Sequence, residues 1–112
     1  MSKGADQLRD IIKQIYGEQV KIKDEYQMGR KLRLDYFLPA YKIGFEFHGI
    51  QHEKYTHHFH GSALDFRASK RRDRLKQELA LQQGISLVVI WHSDPLTVEF
   101  VSQKIKEVLS DD

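Results

Sequence analysis

Apolar residues near the start of the chain recur at three- and four-residue steps, at Leu8, Ile11, Ile12, Ile15 and Tyr16. This spacing predicts an amphipathic helix over residues 5–16, ended by Gly17. Val20 and Ile22 then alternate with polar neighbours. Their alternation predicts a strand over residues 19–26, followed by a turn over residues 27–30.

The next stretch predicts a hairpin, with strands over residues 32–38 and 41–47. Pro39 and Ala40 lie at its bend, since proline cannot donate a hydrogen bond inside a sheet. Residues 49–62 show no period and carry four histidines, which is typical of a functional loop: His52, His57, His58 and His60.

The second half of the chain predicts a helix over residues 63–83, ended by Gly84, and a strand over residues 85–91. The nearly continuous apolar run of that strand indicates burial on both faces. Asp94 and Pro95 predict the start of a last helix, whose apolar face comprises Phe100, Val101, Ile105, Val108 and Leu109.

The predicted order is α-β-β-β-α-β-α. It indicates an α/β fold with a mixed four-stranded sheet flanked by helices, in which three strands form a meander and the fourth joins after a helical crossover. A length of 112 residues suits one domain over residues 1–112. No apolar run is long enough to span a bilayer and the N-terminus resembles no secretory signal, so we expect a cytoplasmic protein without a membrane partner.

Composition limits the possible chemistry. The chain has no cysteine, so any metal must be held by carboxylates, imidazoles or backbone oxygens. The net charge is only +2, but positive charge is clustered. Such clusters suit a phosphate backbone, although a charge run is also typical of an ordinary solvated face. The two clusters are Arg30, Lys31 and Arg33, and Lys70, Arg71, Arg72, Arg74 and Lys76.

The hairpin carries the candidate chemistry. Strand alternation places Glu46 and His48 on one face and an apolar trio on the other, and a short hairpin brings Asp35 beside the first pair. Two neighbouring carboxylates repel each other unless a cation or a proton lies between them, and their oxygens favour a divalent ion such as Mg²⁺. The alternative is that both acids are ordinary outward-facing polar residues. The apolar trio is Ile43, Phe45 and Phe47.

The spacing of Asp35, Glu46 and the polar residue two positions later resembles the metal-binding motif of the PD-(D/E)xK nucleases. These enzymes share a restriction-endonuclease-like core with the helix, three strands, helix and strand predicted above. Leu34 stands where that motif has proline, and His48 stands where lysine is usual.

A longer resemblance covers most of the chain, through the segments LRLDYFLP, IGFEFHGIQH, RRDRLKQELALQQGI and SLVVIW. It is to very-short-patch repair endonucleases and related small phage-type or homing endonucleases. Their functional positions match Asp35, His48 before Gly49, His52, and Asp73 after Arg72. Asp6 is the nearest counterpart of the acid in their first helix, where glutamate is usual.

The resemblance implies a role for each residue. Asp35 would bind Mg²⁺, with Mn²⁺ able to substitute, aided by Glu46 or the main-chain carbonyl of Phe47. His48 or His52 would be the general base or would stabilise the transition state. Asp73 would orient a histidine, and Gln51 would bind a metal-bound water or a phosphate oxygen.

Several residues have other readings. Asp73 falls nearly opposite the helical stripe Leu64, Ala68, Leu75 and Leu79, so the period alone has it facing solvent and pairing with Lys70 or Lys76. The histidine-rich loop could be an ordinary solvated loop or an all-histidine zinc site. Alternation favours core packing over base stacking for Trp91 and for the aromatic residues Tyr36, Phe37, Tyr41, Phe45 and Phe47.

The leading hypothesis is a Mg²⁺-dependent DNA endonuclease, acting as a nicking monomer, a homodimer or a subunit of a larger complex. Basic residues near Arg33 and Arg71 would hold the DNA backbone, which positions DNA without reading its sequence. The first alternative is a nucleic-acid-binding module that kept the fold and lost catalysis. The second is a nuclease selective for branched DNA or for RNA.

Overall fold

The computed structural model describes residues 3–29, 32–49 and 63–110, and for residues 63–69 it describes the helical backbone alone. The elements in chain order are α1 (Lys3–Tyr16), β1 (Lys23–Gly29), β2 (Leu32–Leu38), β3 (Ile43–His48), α2 (Ala63–Gln82), β4 (Ser86–Trp91) and α3 (Val98–Leu109). The predictions for Gln51, His52 and the other loop histidines lie outside the described residues.

The fold is an α/β domain with one mixed four-stranded sheet in the order β1-β2-β3-β4. β1 to β3 form the predicted antiparallel meander, and β4 lies parallel to β3 after the crossover through α2. None of the helices in the described parts of the chain is long and apolar enough to cross a membrane.

Two apolar clusters pack on opposite faces of the sheet. The larger cluster joins α1 and α3 to one face through residues such as Leu8, Ile12, Phe45, Val101 and Ile105. The smaller cluster, beneath α2, contains Met28, Leu34, Phe37, Ala80 and Ile85. Among the described side chains, the cluster under α1 and α3 is therefore the larger of the two.

Three predicted boundaries were wrong. β1 begins at Lys23 and continues to Gly29 through the predicted turn, while Val20 and Ile22 pack against the core without forming a strand. The last helix begins at Val98, because the Thr97 side chain accepts a hydrogen bond from the Phe100 N–H at 3.1 Å.

β4 is an edge strand that is fully buried on one face only. Val88 and Ile90 lie in the larger cluster, whereas Leu87 and Val89 are half-buried and Trp91 is 41% exposed. Core packing was correct for Tyr36, Phe37 and Phe45 and wrong for Trp91 and Tyr41. Tyr41 lies in the β2–β3 turn, where alternation no longer determines burial.

β2 changes faces at Asp35. Tyr36 belongs to the larger cluster and Leu34 to the smaller one, although regular alternation would put both on the same face. β1 changes faces at the residue opposite Asp35. Asp24 pairs with Arg9 of α1 on one face, whereas Tyr26 stacks on Phe37 under α2 on the other. Glu25 between them has a φ of 48°, a backbone conformation that is uncommon for residues other than glycine.

The switch ends the pairing between β2 and β3. Their register stops at Tyr36 and Phe45, but β3 continues beside β4 as far as His48 and Trp91. Where the β2–β3 register has ended, the Asp35 side chain accepts a hydrogen bond from the Phe47 N–H, with 2.7 Å between Oδ2 and N. The two strands thus diverge where the candidate acids lie.

Tyr36 ties this region to α1. Its hydroxyl is buried and donates to the carbonyl oxygen of Ala5 at 2.7 Å. Burial and the nearby charges of Asp6, Asp35 and Asp24 raise the pKa of Tyr36 to about 12. The phenol therefore acts as a neutral donor at physiological pH.

We predict that Tyr36→Phe lowers the free energy of unfolding by about 1–2 kcal/mol, because it removes a buried hydrogen bond without changing the packed ring. Tyr41→Phe, at a position 51% exposed, is the matched control and should change stability by less than about 0.5 kcal/mol. Urea denaturation measures both. Equal effects of the two substitutions would contradict this account of Tyr36.

Candidate active site

The candidate site centres on Glu46, the one charged side chain among the buried residues that the structure describes. It projects from β3 to the face covered by α2, as alternation predicts, while Ile43, Phe45 and Phe47 pack with the larger cluster on the other face. The side chain of Glu46 is only 10% exposed. A carboxylate buried to this extent requires compensating partners.

Two side chains supply that compensation. Lys76 of α2 contacts Oε1 with its ammonium group, and His48 approaches Oε2 with Nε2 at 3.3 Å. Burial alone would raise the pKa of Glu46, but the contacts with His48 and Lys76 outweigh it and hold the pKa below its ordinary value. Glu46 is therefore ionised at neutral pH.

The contact with Glu46 constrains the chemistry of His48. An ionised carboxylate only accepts hydrogen bonds, so the proton of this contact lies on Nε2 of the histidine. In a neutral ring the basic lone pair then lies on Nδ1, and that atom is buried. The arrangement favours His48 as a residue that orients Glu46 over His48 as the base that takes a proton from water.

Asp35 lies next to this cluster with a different electrostatic balance. Burial and the negative charge of Glu46 raise its pKa, and they outweigh the opposing effects of the Phe47 N–H, Lys76 and His48. Both predicted acids thus meet where β2 and β3 diverge. Glu46 has the Lys76 ammonium and the His48 imidazole as partners, whereas Asp35 is left with a charge that its surroundings disfavour.

α2 presents a polar stripe to the sheet. Asp73, Lys76 and Gln77 line a pocket of about 200 Å³ together with Glu46 and His48. The apolar stripe predicted for this helix is only partly turned inward: Leu79 packs against the smaller cluster, but Leu75 is 47% exposed, while Ala80, in line with Asp73, is 1% exposed. Asp73 therefore lies on the side of α2 that faces the sheet and not on its solvent side.

The other predicted residues are more scattered. Asp6 is exposed on the first turn of α1, which packs on the opposite face of the sheet from the pocket. Arg33 has a side chain 60% exposed and lies 3.9 Å from Glu25. Lys76 has a side chain 15% exposed, against Glu46, whereas the other basic residues of α2 whose side chains are described are exposed: Lys70, Arg71, Arg72 and Arg74.

The sequence did not predict the roles of three site residues. Lys76 was expected to contact the DNA backbone and not Glu46, Trp91 was expected in the core, and Gln77 had no expected role. The spacing of Asp73, Lys76 and Gln77 could have found the polar stripe, because residues three and four apart share a helix face. No such signal exists for Trp91, whose exposure depends on β4 being the edge strand.

The described residues hold no group of three or more histidine, aspartate or glutamate side chains arranged to bind a metal ion. The carboxylates of Asp35 and Glu46 and the carbonyl of Phe47 are hard oxygen donors of the kind that Mg²⁺ and Mn²⁺ prefer. The mutual repulsion of the two acids is a second feature that a bound cation would relieve. The donor set thus fits a divalent metal, with part of its coordination left to water or substrate.

Comparisons with known proteins give one informative match. The chain is 34% identical over 68 residues to "Uncharacterized protein 307L" of Invertebrate iridescent virus 6. The match covers 61% of this chain but only 32% of that protein, so the chain spans about a third of the length of its viral relative. No protein-family profile matches the chain, and no solved structure matches it.

We predict that Lys76→Met lowers the free energy of unfolding by about 2–4 kcal/mol at pH 7, because it leaves a buried carboxylate with one partner fewer. Lys104→Met breaks an exposed pair with Glu107 and should cost less than about 0.5 kcal/mol.

The coupling between Lys76 and Glu46 should depend on pH in one direction. Because the pKa of folded Glu46 lies below the ordinary value of 4.5, its ionisation stabilises the fold above that pH, and the stabilisation disappears as pH falls through the folded pKa. A double-mutant cycle with Glu46→Gln and Lys76→Met should therefore give a coupling energy that shrinks between pH 7 and pH 3. A coupling energy constant over this range would contradict the ion pair.

Proposed function

We propose that this chain is a metal-dependent phosphodiester hydrolase with a restriction-endonuclease-like core, acting on DNA. The most direct support is that Asp35 and Glu46 lie close enough to perturb each other where β2 and β3 diverge. Lys76 and His48 both contact the Glu46 carboxylate there. The acids, the ammonium and the imidazole form a compact polar site on an otherwise apolar sheet face. Buried, mutually perturbed ionisable groups of this kind are typical of catalytic sites.

Asp35, Glu46 and the main-chain oxygen of Phe47 would hold the metal. Bound there, Mg²⁺ would supply Lewis-acid polarisation of a phosphate oxygen and a lowered pKa for a coordinated water. In the reaction, the oxygen of water forms a bond to phosphorus and one P–O ester bond breaks. The products are a phosphate monoester and a free hydroxyl.

The remaining residues have supporting tasks in this proposal. His48 keeps the Glu46 carboxylate oriented through its contact with Oε2. Lys76 stabilises negative charge on the phosphate when it leaves Glu46, and Asp73 orients polar groups within the same pocket. Exposed cations on α2 and at Arg33 hold the backbone of the nucleic acid, in a manner that does not depend on its sequence.

A second function is favoured by one specific observation. The ammonium of Lys76 contacts Oε1 of Glu46 and the imidazole of His48 contacts Oε2, so both oxygens of this carboxylate have partners without any metal. This arrangement suits a chain that binds nucleic acid through the same basic surface without cleaving it, because such a chain requires no metal at Glu46. Metal binding separates the two proposals before any cleavage is measured.

For the hydrolase, we predict nicking of supercoiled plasmid in Mg²⁺ or Mn²⁺ by the wild-type chain and a loss of about a hundredfold or more with Asp35→Asn or Glu46→Gln, because each removes a metal ligand. Asp10→Asn, an exposed substitution on α1, is the matched control and should leave the rate unchanged. Binding of DNA without cleavage of any duplex, mismatched or branched substrate would exclude the hydrolase.

The Asp35 carboxylate should make the stability of the fold depend both on pH and on a bound metal. Because the pKa of folded Asp35 is raised, its ionisation costs folding energy, so Asp35→Asn should gain stability relative to wild type as pH rises from below 3.8 to neutral. Mn²⁺ at a concentration equal to a millimolar Kd should raise the wild-type Tm by about 2 °C. The metal should shift Asp10→Asn equally and Asp35→Asn very little.

Equal Tm shifts for wild type and Asp35→Asn would show that Mn²⁺ binds elsewhere. If neither protein shows a shift, Mn²⁺ does not bind and Lys76 and His48 are the only partners of Glu46 among the groups considered. That result would favour the binding module over the hydrolase.

A further inference from the structure

The pocket beside Glu46 has an apolar wall that the hydrolytic chemistry does not use. Leu87, Val89 and Trp91 project from β4 along one side, and Asp73 and Gln77 of α2 line the other. Its volume of about 200 Å³ is below the roughly 300–1,000 Å³ of pockets that enclose whole small-molecule ligands. The space therefore suits a single ring system.

Trp91 is the dominant surface of that wall. Trp91 is 41% exposed at the end of β4. The ring contacts the imidazole of His48 nearly at right angles, with 4.5 Å between centroids. The main-chain N–H of Trp91 donates to the Asp94 carboxylate at 2.9 Å, which fixes the backbone at the end of β4. The indole is thus held in place while a large part of it stays accessible.

The chemistry of the pocket matches a nucleobase. A base has two apolar faces and a polar edge, so it gains from an aromatic surface on one side and hydrogen-bonding groups at its rim. Trp91 provides the aromatic surface. The Gln77 amide both donates and accepts hydrogen bonds, and the Asp73 carboxylate accepts them.

The position of the pocket favours a base that belongs to a nucleic acid chain. Glu46 and His48, which the proposed function places at the scissile phosphate, line the same space. Lys70, one turn before Asp73 on α2, is exposed, as is Arg74. Phosphates on either side of a base in the pocket would therefore meet positive charge.

We propose that this pocket, formed by Trp91, Gln77 and Asp73, binds one unpaired nucleobase next to the cleaved phosphate, and this rests on the proposed function. A base inside a regular duplex is stacked and paired, so it cannot reach a pocket on the protein without being extruded. The preferred substrate is then a nucleic acid with a bulged, mismatched, flapped or single-stranded base. A fully paired duplex is the poorer substrate.

Trp91 is the only tryptophan of the chain, so its fluorescence reports directly on this pocket. The test titrates the full chain, in EDTA, with three duplexes of the same paired sequence. One is fully paired, one carries a single bulged adenosine, and one carries an abasic residue at the bulge. The two bulged duplexes carry equal charge and the paired one has a single phosphate fewer, which keeps the phosphate contribution to binding nearly the same in all three.

We expect the bulged adenosine to quench Trp91 and to bind about tenfold more tightly than the other two duplexes, since base stacking on an aromatic ring contributes about 1–3 kcal/mol. Gln77→Ala should weaken binding of that duplex about threefold to tenfold. Gln82→Ala, an exposed glutamine at the end of the same helix, should leave it unchanged.

Equal affinity and equal quenching for the three duplexes would overturn the base pocket, as would equal effects of Gln77→Ala and Gln82→Ala. Because the titration contains no metal, its outcome is separate from that of the nicking assay. Quenching without cleavage keeps the pocket and rejects the hydrolase, and cleavage without preferential quenching does the reverse.

Discussion

The ionised carboxylate of Glu46, buried on the sheet face under α2, is the constraint on which the rest of the site depends. Removing such a charge from water costs several kcal/mol unless partners replace the lost hydration. Lys76 and His48 are those partners, and they explain why α2 turns a polar stripe toward the sheet. A helix placed only to cover apolar surface would have packed Leu75 inward, yet Leu75 is exposed.

The irregularity at Asp35 serves the same site. A regular hairpin would have continued the pairing of β2 and β3 past Tyr36 and satisfied the Phe47 N–H with backbone. Instead both β1 and β2 change faces at Glu25 and Asp35, and the Asp35 carboxylate accepts the hydrogen bond from Phe47. The raised pKa of Asp35 means that this placement costs stability. Local costs of this kind are expected at functional sites.

The sequence predicted the type and order of the elements in the described residues, because α1 and α3 follow a clear period and the hairpin alternates. β2 was predicted with its bounds, and β3 within two residues. β1 was misplaced because Val20 and Ile22 alternate like a strand yet pack from a loop. Alternation alone correctly placed Glu46 on the opposite face of the sheet from Phe45 and Phe47. Lys76 and Trp91 could not be placed, since helix rotation and strand order are set by tertiary contacts.

In the proposed hydrolase, Asp35 and Glu46 form one cation site, in which the Lys76 ammonium supplies the positive charge when no metal is bound. Anomalous diffraction from a crystal soaked in Mn²⁺ tests it most directly. The account predicts a manganese peak between the two carboxylates, within coordination distance of both, with Lys76 withdrawn from Glu46. A crystal in which saturating Mn²⁺ gives no peak there, and Lys76 still contacts Glu46, would contradict it.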